Sequence, residues 1–235
     1  MKQIHGLYCR RLRAKDKSAV DLHSDTQGKS ATTPPRLPAI ALAMLLTSCG
    51  DTTDPDVCRQ LGDNLLQDAD FALEKQNRQS KSWNTLQHAG EPSFEFIIED
   101  GELTINKIGT QPWGVFRQRL RTSDLDGARM AFTAELKMDL SPDGSRMHPI
   151  GGGLNLTARS GNNRILLQSK LNHEPRLGKT DWLPVRVIVD IPERTETIEL
   201  DFLHQASGVL QVRKPSFHRV DAASPACAVT PEPEQ

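Results

Sequence analysis

From Asn64 to Val220 the dominant pattern along the chain is alternation. Phe94, Phe96 and Ile98 alternate with Glu95 and Glu99; Ala128, Met130, Phe132, Ala134, Leu136 and Met138 alternate with Arg129, Thr133, Glu135 and Lys137. Val185, Val187, Val189 and Ile191 are separated by residues that include Arg186 and Asp190, and Ile198, Leu200 and Phe202 by Glu199 and Asp201. A period of two places successive side chains on opposite faces of an extended strand, so these runs predict antiparallel strands with one buried face. Turn signals punctuate them: Asp100-Gly101, Asp124-Leu125-Asp126-Gly127, Ser141-Pro142-Asp143-Gly144, Ser160-Gly161-Asn162-Asn163 and Ser207-Gly208. Asp100-Gly101 fits a two-residue hairpin loop. About ten strands in one domain predict an all-β, two-sheet antiparallel sandwich, with helix confined to a turn near Leu61.

The segment ahead of this body follows different rules. Leu37 to Leu46 is a run of 10 largely apolar residues after Arg36, the length of a secretory hydrophobic region and too short to span a bilayer. It leads into Leu46-Thr47-Ser48-Cys49-Gly50, which closely resembles the bacterial lipobox. That resemblance implies a diacylglyceryl thioether on Cys49, cleavage before it, and a membrane anchor of several acyl chains. Asp51 stands third and not second in the resulting chain, so delivery to the outer membrane is expected over retention at the inner one. The 36 residues ahead of Leu37 include Asp16, Asp21 and Asp25; a leader's first region is normally short and basic, so the true start is expected further downstream. The expected organisation is a leader over 1–48, a lipidated tether over 49–60, the sandwich over 61–222 and a Pro-rich tail over 223–235.

Charge supports the division. The 235 residues carry a net charge of -1, but residues 1–48 hold 8 Lys+Arg against 3 Asp. The remainder is therefore acidic, with 21 basic and 27 acidic residues and a net charge of -6. Neither figure suits a nucleic-acid partner. Of the 4 cysteines, Cys9 falls in the leader and Cys49 is the lipid site, leaving Cys58 and Cys227. Export to an oxidising compartment predicts that these two form a disulfide across nearly the whole body. Neither a CxxC nor a Cys/His cluster is present, so no zinc or redox site is expected.

The order of motifs resembles the galactose-binding-like jelly rolls and their carbohydrate-binding modules. Asn64-Leu65-Leu66-Gln67-Asp68-Ala69-Asp70-Phe71 is similar to that family's opening motif. Trp83, Gln111-Pro112-Trp113 leading into Phe116-Arg117-Gln118, Gly127, Asp181-Trp182 and a closing strand from Gly208 to Val220 follow in the family's order. The resemblance covers about Asn64 to Val220 and implies a jelly roll whose chain ends lie side by side. It also implies non-catalytic glycan binding. The family's structural calcium would fall nearest Asp70, Glu74 and Asp221, but Ala69 replaces a usual glycine and Ala72 a common glutamate, so no cofactor is expected.

Sugar binding needs flat aromatic faces together with planar polar groups. The body has Trp83, Trp113 and Trp182 and no tyrosine; Trp182 reads as a plug between the sheets. Strand parity places Trp113 with Val115, Arg117, Arg119 and Arg121, opposite Phe116, Gln118 and Leu120. The expected contacts are Trp83, Trp113, Arg117, Arg119 and Arg129, the last added from the next strand, and guanidinium groups suit an acidic polysaccharide. The alternative for this face is a solvated outer surface balanced by Glu135 and Glu95, belonging to a structural or protein-interaction module. The catalytic motifs GxSxG, HExxH, the P-loop and GxGxxG are absent, and the histidines lack metal spacing. No enzyme is expected.

Overall fold

The computed structural model describes residues 57–72, 82–122, 124–142, 144, 151–169 and 176–229. By backbone proximity the chain divides into Met1–Gly50 and Asp51–Gln235, and every described residue lies in the second unit. The lipobox and Cys49 lie outside the described residues.

Twelve strands are formed among the described residues, where the alternation predicted about ten. They are β1 (Gln60–Leu61), β2 (Asn84–Gln87), β3 (Phe94–Glu99), β4 (Glu102–Lys107), β5 (Gly114–Arg121) and β6 (Arg129–Ser141). After them come β7 (Gly151–Arg159), β8 (Ile165–Ser169), β9 (Gly178–Lys179), β10 (Leu183–Asp190), β11 (Thr197–Gln205) and β12 (Ser207–Val220). The two extra elements of only two residues, β1 and β9, are too short to leave a periodic signal, and Leu61, where the sequence predicts a helical turn, is extended and paired with Arg219 of β12.

The strands form two antiparallel sheets. One runs β10-β6-β12-β4-β3, with β1 paired to β12 and β9 to β6; the other runs β2-β5-β11-β7-β8. From β4 onward the chain crosses repeatedly between the sheets, producing the orders β4-β12-β6-β10 and β5-β11-β7-β8. That is the jelly-roll order, closed against edge pairing by two facing sheets. The inner rows are those the alternation picked out: Met130, Phe132, Ala134, Leu136, Met138 and Leu140 of β6 face Ile198, Leu200 and Phe202 of β11, all buried.

Trp83 belongs to this core and not to a binding surface, which corrects the expectation that it contacts ligand. It is 4% exposed, stacked 5.2 Å from Phe116 and 5.5 Å from Phe202, and its indole N–H donates to the Asp68 carbonyl at 3.1 Å. A side chain of this size fills the space between two sheets of opposed aromatics, and its lone polar atom finds a backbone acceptor.

Turn chemistry does what the sequence asks. Asp100 and Gly101 both have positive φ, 52° and 78°, as a two-residue primed hairpin requires. At the β11–β12 turn Gly208 has φ 102°, and a Cβ there would collide with the Asp139 carbonyl. The Asp126 carboxylate accepts from the Arg194 and Thr195 amides at 2.8 and 3.2 Å, tying two loops at one end of the sandwich.

The chain termini of the body meet at that same end. β1 pairs with the close of β12, and Asn64 Oδ1 accepts from the Phe217 amide at 2.9 Å while its Nδ2 donates to the Pro215 carbonyl at 3.2 Å. Cys58 and Cys227 are joined, with Cα atoms 4.8 Å apart across a separation of 169 residues. Cys227 closes a 3-10 turn at Pro225–Cys227 and packs with Ala131, Ile188 and Val220 on the outside of the larger sheet. The packed body therefore reaches past residue 222, the expected end of the sandwich. Because the bridge closes so long a loop, its removal (Cys58→Ala with Cys227→Ala) should lower unfolding free energy by up to about 5 kcal/mol. Urea unfolding with and without reductant measures this, and an unchanged midpoint would refute it.

Candidate functional site

The outer face of the five-stranded sheet carries the chemistry. On the central strand β11 the residues opposite the core row are Glu199, Asp201, Leu203 and Gln205. Register places Arg117 and Asn155 on either side of Asp201, and Arg119 and Thr157 on either side of Glu199. Leu203 lies between Val115 and Gly153, and His204 pairs with Gly114. Gln205 closes β11 opposite Gly151, and Trp113 immediately precedes β5. The face thus runs from an aromatic and amide end to a basic end.

Glu199 and Asp201 are each 1% exposed although they point away from the core. Arg117 grips Asp201 in a bidentate pair at 2.7 and 2.8 Å, and Asn155 Nδ2 donates to the same carboxylate at 2.6 Å. Three guanidinium groups converge on Glu199: Arg117 at 3.3 Å, Arg159 at 3.1 Å, and Arg119 in direct hydrogen bond. Burial works to raise the Glu199 carboxyl, but hydrogen bonds from Arg119 and Arg159 and the charge of Arg117 outweigh it and hold it below the usual carboxylate range. Hydrogen bonding to Asp201 raises Arg117 in turn, against a smaller opposing effect of burial. Strand parity in the sequence groups Arg117, Arg119 and Arg121 on this face but reveals neither Arg159 nor the carboxylate partners. The signal was present as two acids two apart on one strand, but only pairing reveals that they lie opposite arginines.

Among the described residues, two buried acceptors on this sheet find no hydrogen-bond donor: Asn155 Oδ1 and Gln205 Oε1. An acceptor buried without a donor costs about 1–3 kcal/mol. Trp113 is half-buried, its carbonyl accepting from the His88 amide at 3.3 Å and its ring edge-on to His88 at 6.2 Å. His88 Nδ1 is held by Gln111 Oε1 at 2.9 Å, so the ring pair has a fixed frame.

Of the expected contacts the fold brings together Trp113, Arg117 and Arg119. Arg129 does not join them: β6 belongs to the other sheet, where its guanidinium pairs with Asp190 at 2.7 and 2.8 Å. Parity orients a side chain relative to its own strand but leaves open which sheet that strand enters. Glu135, expected to balance the arginine face, also lies on the other sheet and engages Arg213 at 2.6 Å and Lys214 at 2.8 Å. Gln118 is core-side and 1% exposed, exchanging hydrogen bonds of 2.7 Å with the backbone of Gln67 in both directions. Trp182 is half-buried under the Arg213 guanidinium, 4.1 Å from its ring centre. Glu74, one of the residues the family resemblance offers for calcium, lies outside the described residues.

No protein-family model matches the chain, and no curated protein does. Solved structures similar to it include the enzymatically active domain of tailspike protein 4 of bacteriophage CBA120. The TM-score there is 0.49 at 9% identity, over 66% of this chain and 21% of the tailspike chain. A CBM4 structure is similar at a TM-score of 0.44 and 14% identity, over 66% of this chain and 99% of the other. The CBM22-1 xylan-binding domain from Paenibacillus barcinonensis is similar at 0.42 and 12%, over 61% and 89%. The class of this chain, a jelly-roll β-sandwich, follows from its own strand order.

Because Glu199 is depressed in the folded state, the stability it contributes is present above the unfolded value of about 4.3 and is lost as pH falls through the folded value. Glu199→Gln leaves three guanidinium groups on a neutral amide and should destabilise by about 3–5 kcal/mol at neutral pH. Urea unfolding followed by circular dichroism at pH 7 and pH 3 tests this: the variant's loss should shrink at the lower pH. A loss independent of pH would show that the carboxylate charge is not what stabilises the sheet.

Proposed function

We propose that this is a lipid-anchored protein of the cell envelope whose sandwich binds a glycan without catalysis. The observation that carries the reading is the rigid polar outer face of the five-stranded sheet, where Arg117 and Arg119 are held by Asp201 and Glu199 along the strand that follows Trp113. The half-buried Trp113 indole offers a flat face to sugar C–H groups. From Trp113 to Arg121 the strand extends about 26 Å at ~3.3 Å per residue, room for several linked rings. The arginines, locked by Glu199 and Asp201, present rigid planar donors along that path.

Affinity electrophoresis across a panel of polysaccharides tests the reading. Retention on at least one polymer is expected, with Trp113→Ala weakening it at least tenfold while the melting temperature stays unchanged. The second reading, a structural or protein-interaction module without a sugar ligand, is favoured by the burial of Trp83, which leaves a thinner aromatic supply than the family resemblance implies. Absence of retention on every polymer, neutral and acidic, selects it.

The anchor rests on the lipobox-like Leu46-Thr47-Ser48-Cys49 and on the short polar tether that follows. Expressed in a bacterium with a lipoprotein-processing pathway, the chain should incorporate labelled palmitate, and Cys49→Ser should abolish incorporation and release the protein from membranes. Mass spectrometry showing a mature terminus other than acylated Cys49 would overturn the anchor.

A further inference from the structure

The basic end of the sheet face does not balance its own charge. Arg117, Arg119, Arg121 and Arg159 lie on it, against the carboxylates Glu199 and Asp201. Those two are fully engaged by Arg117, Arg119 and Arg159. Arg121 is exposed, and its register partner across β11 is the neutral Thr197. Arg119 keeps 56% of its side chain exposed even while bonded to Glu199.

These two guanidinium groups open onto a cleft of about 640 Å³ at the end of the sandwich where the body's termini meet. Its floor is apolar, with Leu61, Leu65, Leu120 and Leu125. Leu61 and Leu65 are 39% and 38% exposed, surface that a solvated face gains nothing by presenting. The cleft's carboxylates are Asp63 and Asp124, and Asp124 already faces Arg219, which donates to its carbonyl and lies 3.8 Å from its carboxylate. Counting Asp63 as well, three arginines stand against two aspartates, so the lining keeps a net charge of +1 beside its leucines, the complement of a ligand with an oxyanion on one side and C–H surface on the other.

We propose that this cleft is the acid-reading subsite of the glycan-binding face: Arg121 and Arg119 take a carboxylate or sulfate of an acidic polysaccharide, and Leu61 and Leu65 receive the sugar ring that bears it. The proposal rests on the glycan reading above and assigns the substrate class within it. Arg119 couples the two parts, since the same side chain bonds Glu199 and lines the cleft. Attraction between exposed guanidinium groups and an anion is screened by salt, so this subsite has an ionic-strength signature that Trp113 alone lacks.

The experiment is affinity electrophoresis of the full chain in gels of polygalacturonate, dextran sulfate and neutral xylan, at low and high salt, with Arg121→Ala and Arg121→Lys beside the unmodified protein. Arg121 is chosen because, unlike Arg119, it holds none of the buried carboxylates, and an unchanged melting temperature confirms an intact fold. The expected result is preferential retention on an acidic polymer, weakened at least tenfold by Arg121→Ala, partly restored by Arg121→Lys, and diminished by salt. The carboxylated and sulfated gels tell which oxyanion is preferred. Preference for neutral xylan, or acidic retention untouched by Arg121→Ala, overturns the subsite and leaves the glycan reading standing. No retention on any gel overturns both. Sedimentation of the Cys49→Ser chain with phosphatidylglycerol but not phosphatidylcholine vesicles, lost in Arg121→Ala and without polysaccharide retention, would instead assign the cleft to an anionic membrane surface, and also overturns the proposal.

Discussion

Two carboxylates placed under the outer surface of a sheet are the constraint around which this sandwich is organised. Burying Glu199 and Asp201 at 1% exposure demands that each be surrounded by donors, since an uncompensated buried charge costs several kcal/mol. The donors come from both neighbouring strands: Arg117 and Arg119 from β5, Asn155 and Arg159 from β7. The network therefore fixes the register of three strands at once. A slip of one residue would turn the arginines into the core and Phe116 outward, so ionic and hydrophobic demands select the same register.

The same arrangement explains why the face can be rigid without being apolar. An arginine side chain in water loses considerable rotamer freedom when it is pinned, a loss of up to about 2 kcal/mol. Here the carboxylates below have already immobilised Arg117 and Arg159, so a ligand meets donors whose order was established on folding. At the far end of the sandwich β1, Asn64 and the Cys58–Cys227 bridge hold the chain ends against β12. The cleft is built from that junction, with Leu61 and Leu65 from the entering chain and Arg119 and Arg121 from β5.

Much of the architecture was legible along the chain because its signals are local. Alternation in β6 and β11 named the core residues correctly, Asp100-Gly101 and Ser207-Gly208 marked turns that need positive φ, and cysteine arithmetic paired Cys58 with Cys227. The site was legible only in part. Trp113, Arg117 and Arg119 share a face because they share a strand, which parity resolves. Trp83 was misplaced because an aromatic just before an edge strand has the same sequence signature whether it turns outward or in. Its burial depends on Phe71, Phe116 and Phe202 being there to receive it. Arg129 was misplaced because the chain changes sheets between β5 and β6.

The sequence by itself determined which residues are extended, which side of each strand is apolar, where the chain turns and which cysteines join, since each depends on near neighbours or on simple counting. Only the tertiary structure decided which strands lie side by side. That choice set Glu199 and Asp201 beneath the arginines of β5 and β7 and sent Arg129 and Glu135 to the opposite surface. The reason is physical: the pleat repeats every two residues and fixes orientation within a strand. Pairing is settled by closing long loops against the whole core, and an energy summed over many distant contacts leaves no short pattern to read.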